Sequence, residues 1–323
     1  MKKVLSKIFE HHALADKPPV LVDIGASTAL PPQWREIAEY SICIAFDPDR
    51  RQMEYIENER GFKKMYIFPA IVHESINGQT DFYLTASPEC SSTLPPRYAE
   101  LNEYLFAPLF KLEKQAKLAA VTLPAILKEL NLDYIDWFKT DSQGTDLRLF
   151  RSIPDTVRRR TLAAEFEPGI IDAYQGEDKL WALLSFMEQE PFWCSSFKLL
   201  GSRRMSPELA DRYFPGLRRR LLHTVLQPAP GWAEVTFLNN LSGQDMGIRE
   251  YLLGWVFAAG MRQYGAALQI AENGMALYSD VLFKELAEYT VKSINRDCIF
   301  SLKVPVKWLK RLMRQLGVTV KPD

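Results

Sequence analysis

Acidic residues lie at the ends of two short apolar runs early in the chain. The run Val-Leu-Val-Asp-Ile at 20–24 contains Asp23 and ends at Gly25, and a second run at 42–46 is followed by Asp47. Short apolar runs bounded by turn residues are typical of buried parallel strands. In an open parallel sheet, ligands bind at the carboxyl ends of the strands, beside free helix N–H groups. A carboxylate at Asp47 could there accept both hydroxyls of an adenosine ribose.

The first of these runs is not followed by a phosphate-binding loop. The segment at 25–29 contains neither GxGxxG nor GxxxxGK[ST]. A pyrophosphate needs the close backbone approach that such glycines allow, whereas a ligand without phosphates does not. The sequence therefore favours S-adenosylmethionine over NAD, although an ordinary β-turn stays open for this segment. The residues predicted to bind the cofactor here are Asp23, Gly25, Ala26, Ser27 and Asp47.

A longer motif lies in the middle of the chain. Residues 132–150 are Leu-Asp-Tyr-Ile-Asp-Trp-Phe-Lys-Thr-Asp-Ser-Gln-Gly-Thr-Asp-Leu-Arg-Leu-Phe. This run resembles the fourth-strand motif of the FkbM family of S-adenosylmethionine-dependent methyltransferases, iDflKiDvEGaE followed by an apolar helix. Residues 121–127 resemble the helix before that motif, and residues 86–94 resemble the loop after the third strand. The similarity covers roughly residues 18–240 and implies a class I, Rossmann-like methyltransferase.

The resemblance implies methyl transfer from the sulfonium to a hydroxyl of a sugar, glycan or secondary-metabolite acceptor. Such an in-line displacement needs alignment of oxygen, methyl and sulfur, assisted by removal of the hydroxyl proton. We place Asp141, at the end of the central strand, nearest the methyl group. Lys139 is expected to share its face, pair with it and lower its pKa. Glu165, near the end of the next strand, is the third catalytic candidate. A structural ion pair for Lys139 and a solvated rim position for Glu165 are the alternatives.

Further residues complete the predicted site. Ala70 and Ile71, after a third apolar run at 64–68, and Asp141 are assigned to the cofactor. The serine pair of the 86–94 loop and one polar residue of the fourth-strand motif are assigned to the acceptor, namely Ser91, Ser92 and Gln143. No compact spacing of His, Cys, Asp and Glu demands a metal, and we predict none.

The chain departs from the family pattern at three places. Ser27 stands where asparagine is common, Ser142-Gln143 replaces Val-Glu, and Asp146 replaces a glutamate that is one methylene longer. Such changes can reshape the pocket or abolish turnover. Two alternatives therefore stay open: a catalytically silent methyltransferase-like scaffold in a glycan-assembly complex, and an NAD-dependent oxidoreductase.

The order of the predicted elements indicates an α/β fold. The first three strands alternate with helices, predicted over 33–40 and from Asp49 to about Glu59, which is the signature of a doubly wound parallel sheet. The run at 231–238 indicates a late edge strand, and after Leu241 the chain is helical. We therefore expect an N-terminal helical segment (1–17), a Rossmann-like, mostly parallel methyltransferase domain (18–242) and a C-terminal all-helical appendage (243–323).

The C-terminal region carries two distinct patterns. Residues 253–270 match part of the tetratricopeptide helix pair, which must bury its face against the rest of the chain or another subunit, so a homodimer stays open. Residues 299–322 contain no acidic residue and repeat apolar positions at helical spacing. This basic amphipathic helix is compatible with peripheral contact on an anionic membrane or with docking on the protein itself.

The overall charge is balanced, with 40 Lys and Arg against 40 Asp and Glu. Because phosphate binding rests on a basic excess, the composition argues against a nucleic-acid partner. The four cysteines lie far apart, and the N-terminal segment lacks the apolar core of a signal peptide. We therefore expect a cytoplasmic protein with reduced thiols and a small-molecule or glycan acceptor, with peripheral contact at the inner membrane face left open.

Overall fold

The computed structural model describes residues 1–26, 33–48, 61–243 and 246–300, with the single positions 308 and 313. Three predictions fall outside these residues. They are the cofactor contact of Ser27, the helix beginning at Asp49 and most of the basic C-terminal segment.

Two sheets, of seven and three strands, lie at the centre of the described structure. The strands are β1 (Val20–Ile24), β2 (Ile42–Phe46), β3 (Lys64–Phe68), β4 (Ile71–Val72), β5 (Gly78–Thr85), β6 (Leu112–Val121), β7 (Trp137–Thr140), β8 (Ala163–Phe166), β9 (Phe192–Ser202) and β10 (Ala229–Asn239). The large sheet has the order β3-β2-β1-β7-β8-β10-β9, and the small sheet has the order β4-β6-β5. In the large sheet the first five strands are parallel, and β10 runs antiparallel to both β8 and β9.

The described ranges contain twelve α-helices, of which those in the two main cores cover both faces of the large sheet. They are α1 (Lys2–Glu10), α2 (His12–Ala15), α3 (Tyr98–Leu101), α4 (Leu123–Glu129), α5 (Asp146–Arg151), α6 (Asp155–Arg158), α7 (Leu180–Met187), α8 (Pro207–Tyr213), α9 (Leu217–Val225), α10 (Ile248–Gly260), α11 (Tyr264–Tyr278) and α12 (Val281–Phe300). Side chains alternate along each strand, so Val22 packs with α4, α5 and α7 while Leu21 packs with α1, α10 and α12. The predicted α/β class, a mostly parallel Rossmann-like sheet followed by a helical C-terminal region, is confirmed.

Two local predictions were wrong. The run at 231–238 belongs to β10, which is an inner strand, because the unpredicted β9 pairs along its outer side. Residues 33–37 form turns followed by a short 3-10 helix, Ala38–Tyr40, where an α-helix was predicted. Bonds such as Ile37 N to Trp34 O, three residues apart, set a tighter repeat that buries both side chains on one side.

The C-terminal helices share one buried core with the sheet. The Trp137 ring of β7 lies 4.8 Å from Phe257 of α10, edge to face. The helices approach one another closely, since a Cβ at Gly274 of α11 would lie 2.4 Å from the Phe283 ring of α12. None of the helices in the described ranges is both long and apolar enough to cross a bilayer.

A buried ion pair joins this helical region to the strand edge. The Arg249 guanidinium of α10 donates to both carboxylate oxygens of Asp136, at 2.8 and 2.7 Å. The Asp136 carboxylate also accepts the Val20 N–H at 2.9 Å, and Arg249 donates to the Lys17 carbonyl at 3.0 Å. Both side chains are over nine-tenths buried. One bidentate pair therefore links α10, the start of β1 and the segment before β7.

Breaking this pair is expected to destabilise the protein strongly. Arg249→Met should lower the free energy of unfolding by about 3–5 kcal/mol, because the Asp136 carboxylate loses its partner inside the protein. Denaturation in urea measures the change. Arg262→Met is the matched control, since Arg262 pairs with Asp297 at 2.6 Å but is 72% exposed. A loss for Arg249→Met no greater than that of the control would contradict the assigned role.

Candidate functional site

The residues that directly follow four parallel strands line one cavity. Gly25, Asp47, Asp141 and Glu167 follow β1, β2, β7 and β8, respectively, and all four border a cavity of about 350 Å³. The chain order of the sheet reverses at β1, between β2 and β7. A crevice at this reversal is where doubly wound sheets bind ligands, and the volume lies in the range of small-molecule sites.

Gly25 allows the turns after β1 and β7 to approach closely. It has φ +75°, and a Cβ at this position would lie 2.2 Å from the Asp141 carbonyl oxygen. Its N–H donates to the Phe46 carbonyl at 3.0 Å, and the Asp141 N–H donates to the Ile24 carbonyl at 2.9 Å. Only glycine adopts this left-handed backbone conformation without strain and also fits where there is no room for a Cβ atom.

The Asp146 carboxylate joins the turns after β7 and β8. It accepts the Ser142 N–H at 2.9 Å and the Glu167 N–H at 2.7 Å, in addition to the Thr140 hydroxyl at 3.1 Å. Asp146 is 2% exposed. Burial raises its pKa, while the hydrogen bonds oppose that shift. Asp146 thereby fixes the positions from which Asp141 and Glu167 enter the cavity.

Asp141 is held by a short chain of hydrogen bonds. The Gln143 side-chain amide donates to Asp141, and the Tyr174 hydroxyl donates to the Gln143 side-chain oxygen at 2.9 Å. Burial raises the pKa of Asp141 to about 7; Lys139 acts in the opposite direction, and the carboxylate of Asp146 adds to the rise. Lys139 lowers the pKa of Asp141 as expected, but burial outweighs that charge and the net shift is upward.

Glu167 is the functional candidate that the sequence prediction missed. Burial raises its pKa to about 9, with further contributions from Asp141 and Asp146. Thr140 and Phe166 are register partners at the ends of β7 and β8, so Glu167 occupies on β8 the place that Asp141 occupies on β7. The sequence contained a signal for Glu167, because Glu167 directly follows an apolar strand, as Asp47 and Asp141 do.

Aromatic side chains form the outer wall of the cavity. The Phe106 and Trp232 rings are stacked with centroids 6.3 Å apart, and Phe110 packs at 5.6 Å from Tyr174. All four rings line the cavity. They come from the 86–111 segment, the segment after β8 and β10, so only the tertiary fold brings them together.

The sequence-predicted residues divide between this cavity and other places. Those that line it are Gly25, Asp47, Ala70, Ile71, Ser91, Asp141 and Gln143. Ser92 instead donates to the Gln143 carbonyl at 2.7 Å, and Ala26 is fully buried in the core on the other face. Ser92 therefore supports the loop that carries Gln143 and does not border the cavity.

Asp23, Lys139 and Glu165 were wrongly placed in the cavity. Asp23 and Lys139 are register partners on β1 and β7 and form an ion pair at 2.8 Å, so Lys139 is not the direct partner of Asp141. Burial alone would lower the pKa of Lys139, but Asp23 and Glu165 raise it above its usual value. Glu165 accepts from Gln33 at 3.3 Å and borders a second cavity, of about 710 Å³. These three register partners share the sheet face of Leu21, Trp137 and Ala163, whereas Asp141 and Glu167 lie beyond the strand ends and face the cavity.

The charge of the first cavity restricts its ligands. Among the described residues, five acidic side chains and no Lys, Arg or His line it. The acidic residues are Asp47, Glu89, Asp141, Glu167 and Glu177. Phosphates are held by cations and by helix N-terminal or nest N–H groups, so an acidic lining disfavours a dinucleotide and favours a ligand with positive charge. No group of three or more His, Cys, Asp or Glu in the described ranges is arranged to hold a metal ion.

Comparison with known proteins gives no match to the chain, whether with a protein-family model, a curated protein or a solved structure. The resemblance to the FkbM family therefore stays a prediction from the motifs at 121–127 and 132–150.

The buried carboxyl of Glu167 is expected to make stability depend on pH. Its pKa is about 9 in the folded protein against 4.5 for an ordinary glutamate. The folded state therefore binds the extra proton between these values, and the free energy of unfolding falls as pH rises through this window. Glu167→Gln should thus be more stable than the wild type at pH about 8, with the difference shrinking towards pH about 5.

Thermal melts at both pH values measure this difference. Glu89→Gln, an exposed carboxyl at the same cavity, is the control and should behave like the wild type at both. Equal effects of Glu167→Gln and Glu89→Gln at both pH values would refute the prediction.

Proposed function

We propose that the protein is a methyltransferase that binds S-adenosylmethionine in the cavity at the ends of β1, β2, β7 and β8. The observation that carries the proposal is the acidic lining of that cavity. S-adenosylmethionine is a nucleoside without phosphates whose sulfonium and ammonium outweigh its one carboxylate, so its net positive charge fits a lining in which every charged residue that the structure describes is acidic. An NAD pyrophosphate would meet the same carboxylates without a cation among the described lining residues.

The positions of the carboxylates support this orientation of the cofactor. Asp47 follows β2 and suits the ribose hydroxyls, as the sequence prediction had it. Asp141 follows the central strand β7 and suits the methionine end of the cofactor. The parallel strand order, followed by an antiparallel pair at one edge, also agrees with the class I methyltransferases that the sequence resembles.

Asp141 suits the proton transfer that accompanies methylation of a hydroxyl. The acceptor oxygen forms a bond to the methyl carbon, the carbon–sulfur bond breaks to leave a neutral thioether, and the acceptor proton passes to a carboxylate. General bases work best with a pKa near the working pH, and the pKa of Asp141 is about 7. Glu167, with a pKa of about 9, is protonated at neutral pH and can donate a hydrogen bond in the same cavity.

Titration calorimetry with S-adenosylmethionine, its demethylated product and NAD tests the binding. The first two should bind and NAD should not. Asp47→Ala should weaken S-adenosylmethionine binding about tenfold or more, because it removes a charge-assisted hydrogen bond to the ribose. Glu165→Gln is the control, since Glu165 lies on the opposite face of the sheet and should leave affinity unchanged. Heat with NAD and none with S-adenosylmethionine would overturn the proposal.

The proposed site also predicts a dependence of affinity on pH. The sulfonium favours the ionised form of Asp141, so binding of S-adenosylmethionine should tighten as pH rises through about 7. The demethylated product has a neutral thioether there and should show a weaker dependence. The effect is measured as the ratio of the dissociation constant of the product to that of S-adenosylmethionine, determined at several pH values between about 6 and 8. Asp141→Asn should remove the dependence of this ratio on pH. A ratio that stays constant with pH in the wild type would argue against Asp141 lying beside the sulfonium.

A further inference from the structure

The helix pair α8–α9, which connects β9 to β10, exposes a row of apolar side chains. On α8, Leu209 and Tyr213 are 45% and 62% exposed, and they lie four residues apart. On α9, Leu217, Leu221 and Val225 are 71%, 51% and 69% exposed, again four residues apart. Residues at this spacing share one helix face. These five side chains, here called the α8–α9 surface, form contiguous apolar rows of the kind that mark interaction sites.

The opposite sides of both helices pack inward. Ala210 and Leu222 are buried against Leu105 in one small core. The Arg219 side chain donates to Asp211 at 2.8 Å, which ties α9 to α8. Because the inward faces of both helices are already occupied, the α8–α9 surface points away from the rest of the described protein.

Arginines surround this surface. Residues 203–225 contain six arginines, whereas the acidic residues are Glu208 and Asp211. Arg204, Arg212, Arg218 and Arg220 are all exposed, and none forms an ion pair with a described residue. At 100° per residue, Arg218 and Arg220 project on the two sides of the row that begins at Leu217. The surface therefore combines exposed apolar side chains with a positive border.

The positive charge around the α8–α9 surface favours an anionic membrane over a second copy of the chain as the partner. In a symmetric dimer each copy presents the same patch to the other, so the excess of six arginines over two acidic residues in 203–225 would be doubled at one interface. An anionic bilayer instead supplies negative headgroups around the arginines and an apolar boundary for the leucines. We propose that the α8–α9 surface docks the protein on a membrane that contains anionic lipids.

The segment on which α8 and α9 pack also contributes to the acidic cavity. Leu105, which packs under both helices, precedes Phe106, and the Phe106 ring lines the cavity against Trp232. Leu109 lines the same cavity and is 47% exposed. The segment at 105–109 therefore connects the small core under α8–α9 with one wall of the cavity. The proposal does not depend on methyl transfer, because lipid binding is measured without cofactor or acceptor.

Co-sedimentation of the full-length chain with vesicles tests the proposal. The protein should bind phosphatidylcholine vesicles that contain about 30% phosphatidylserine, bind pure phosphatidylcholine vesicles much more weakly, and dissociate as salt is raised. Leu217→Ser/Leu221→Ser should lower the partition coefficient at least about tenfold, since it removes apolar area that enters the membrane. Arg218→Gln/Arg220→Gln should lower it about tenfold or more on anionic vesicles.

A matched control uses exposed apolar residues elsewhere. Leu277 and Val281 are 60% and 73% exposed on α11 and α12, so Leu277→Ser/Val281→Ser should leave binding unchanged. Thermal melts should show wild-type stability for all three double variants, because the changed side chains are exposed. Absence of binding to anionic vesicles would overturn the proposal, and a surface built for a protein partner gives this result. Unchanged binding of Leu217→Ser/Leu221→Ser would overturn it as well, and would assign lipid contact to another region, such as the basic residues of 303–321.

Discussion

The buried carboxylate of Asp146 is the contact on which the candidate site depends. Its hydrogen bonds to Ser142 and to the Glu167 N–H fasten the turn after β7 to the turn after β8. These turns carry the two carboxyls with strongly raised pKa values, Asp141 and Glu167. A buried acceptor with several donors rigidifies its surroundings, since each donor left without it would be unsatisfied inside the protein. Asp146 thus has a definite structural task in the site.

The large sheet separates two groups of buried charges with different properties. On one face, Asp23 and Lys139 neutralise each other as an ion pair across adjacent strands. At the carboxyl edge, the cavity collects carboxyls without a lining cation among the described residues. Neutralised charges serve stability, whereas buried carboxyls with raised pKa values, such as Asp141 and Glu167, carry a cost of ionisation that a cationic ligand can relieve. This asymmetry is the physical basis of the proposal that the cavity binds S-adenosylmethionine and not a dinucleotide.

The helical regions play two different structural parts. The C-terminal helices belong to the same core as the sheet, and the Arg249–Asp136 pair fastens α10 to the start of β1. The α8–α9 pair is attached through a small core around Leu105 and leaves its apolar rows exposed. A helix whose apolar residues are exposed and bordered by arginine is suited to a partner outside the chain. The C-terminal helices thus pack inside the protein, whereas α8 and α9 leave an apolar surface exposed for contact with a partner.

The sequence by itself determined the α/β class, the strands β1 to β3 and the strand-end residues Asp47 and Asp141, because apolar runs and their polar ends are local patterns. It could not decide the order β8-β10-β9, which depends on pairing between distant segments. The sequence also indicated Glu165 as a residue of the cavity, whereas the carboxyl that lines the cavity is that of Glu167. Glu165 and Glu167 are two residues apart, so strand alternation alone does not separate them; Glu165 lies inside β8, whereas Glu167 lies beyond its end, in the turn that borders the cavity. That end is set by Asp146 binding the Glu167 N–H, a contact that only the tertiary structure supplies.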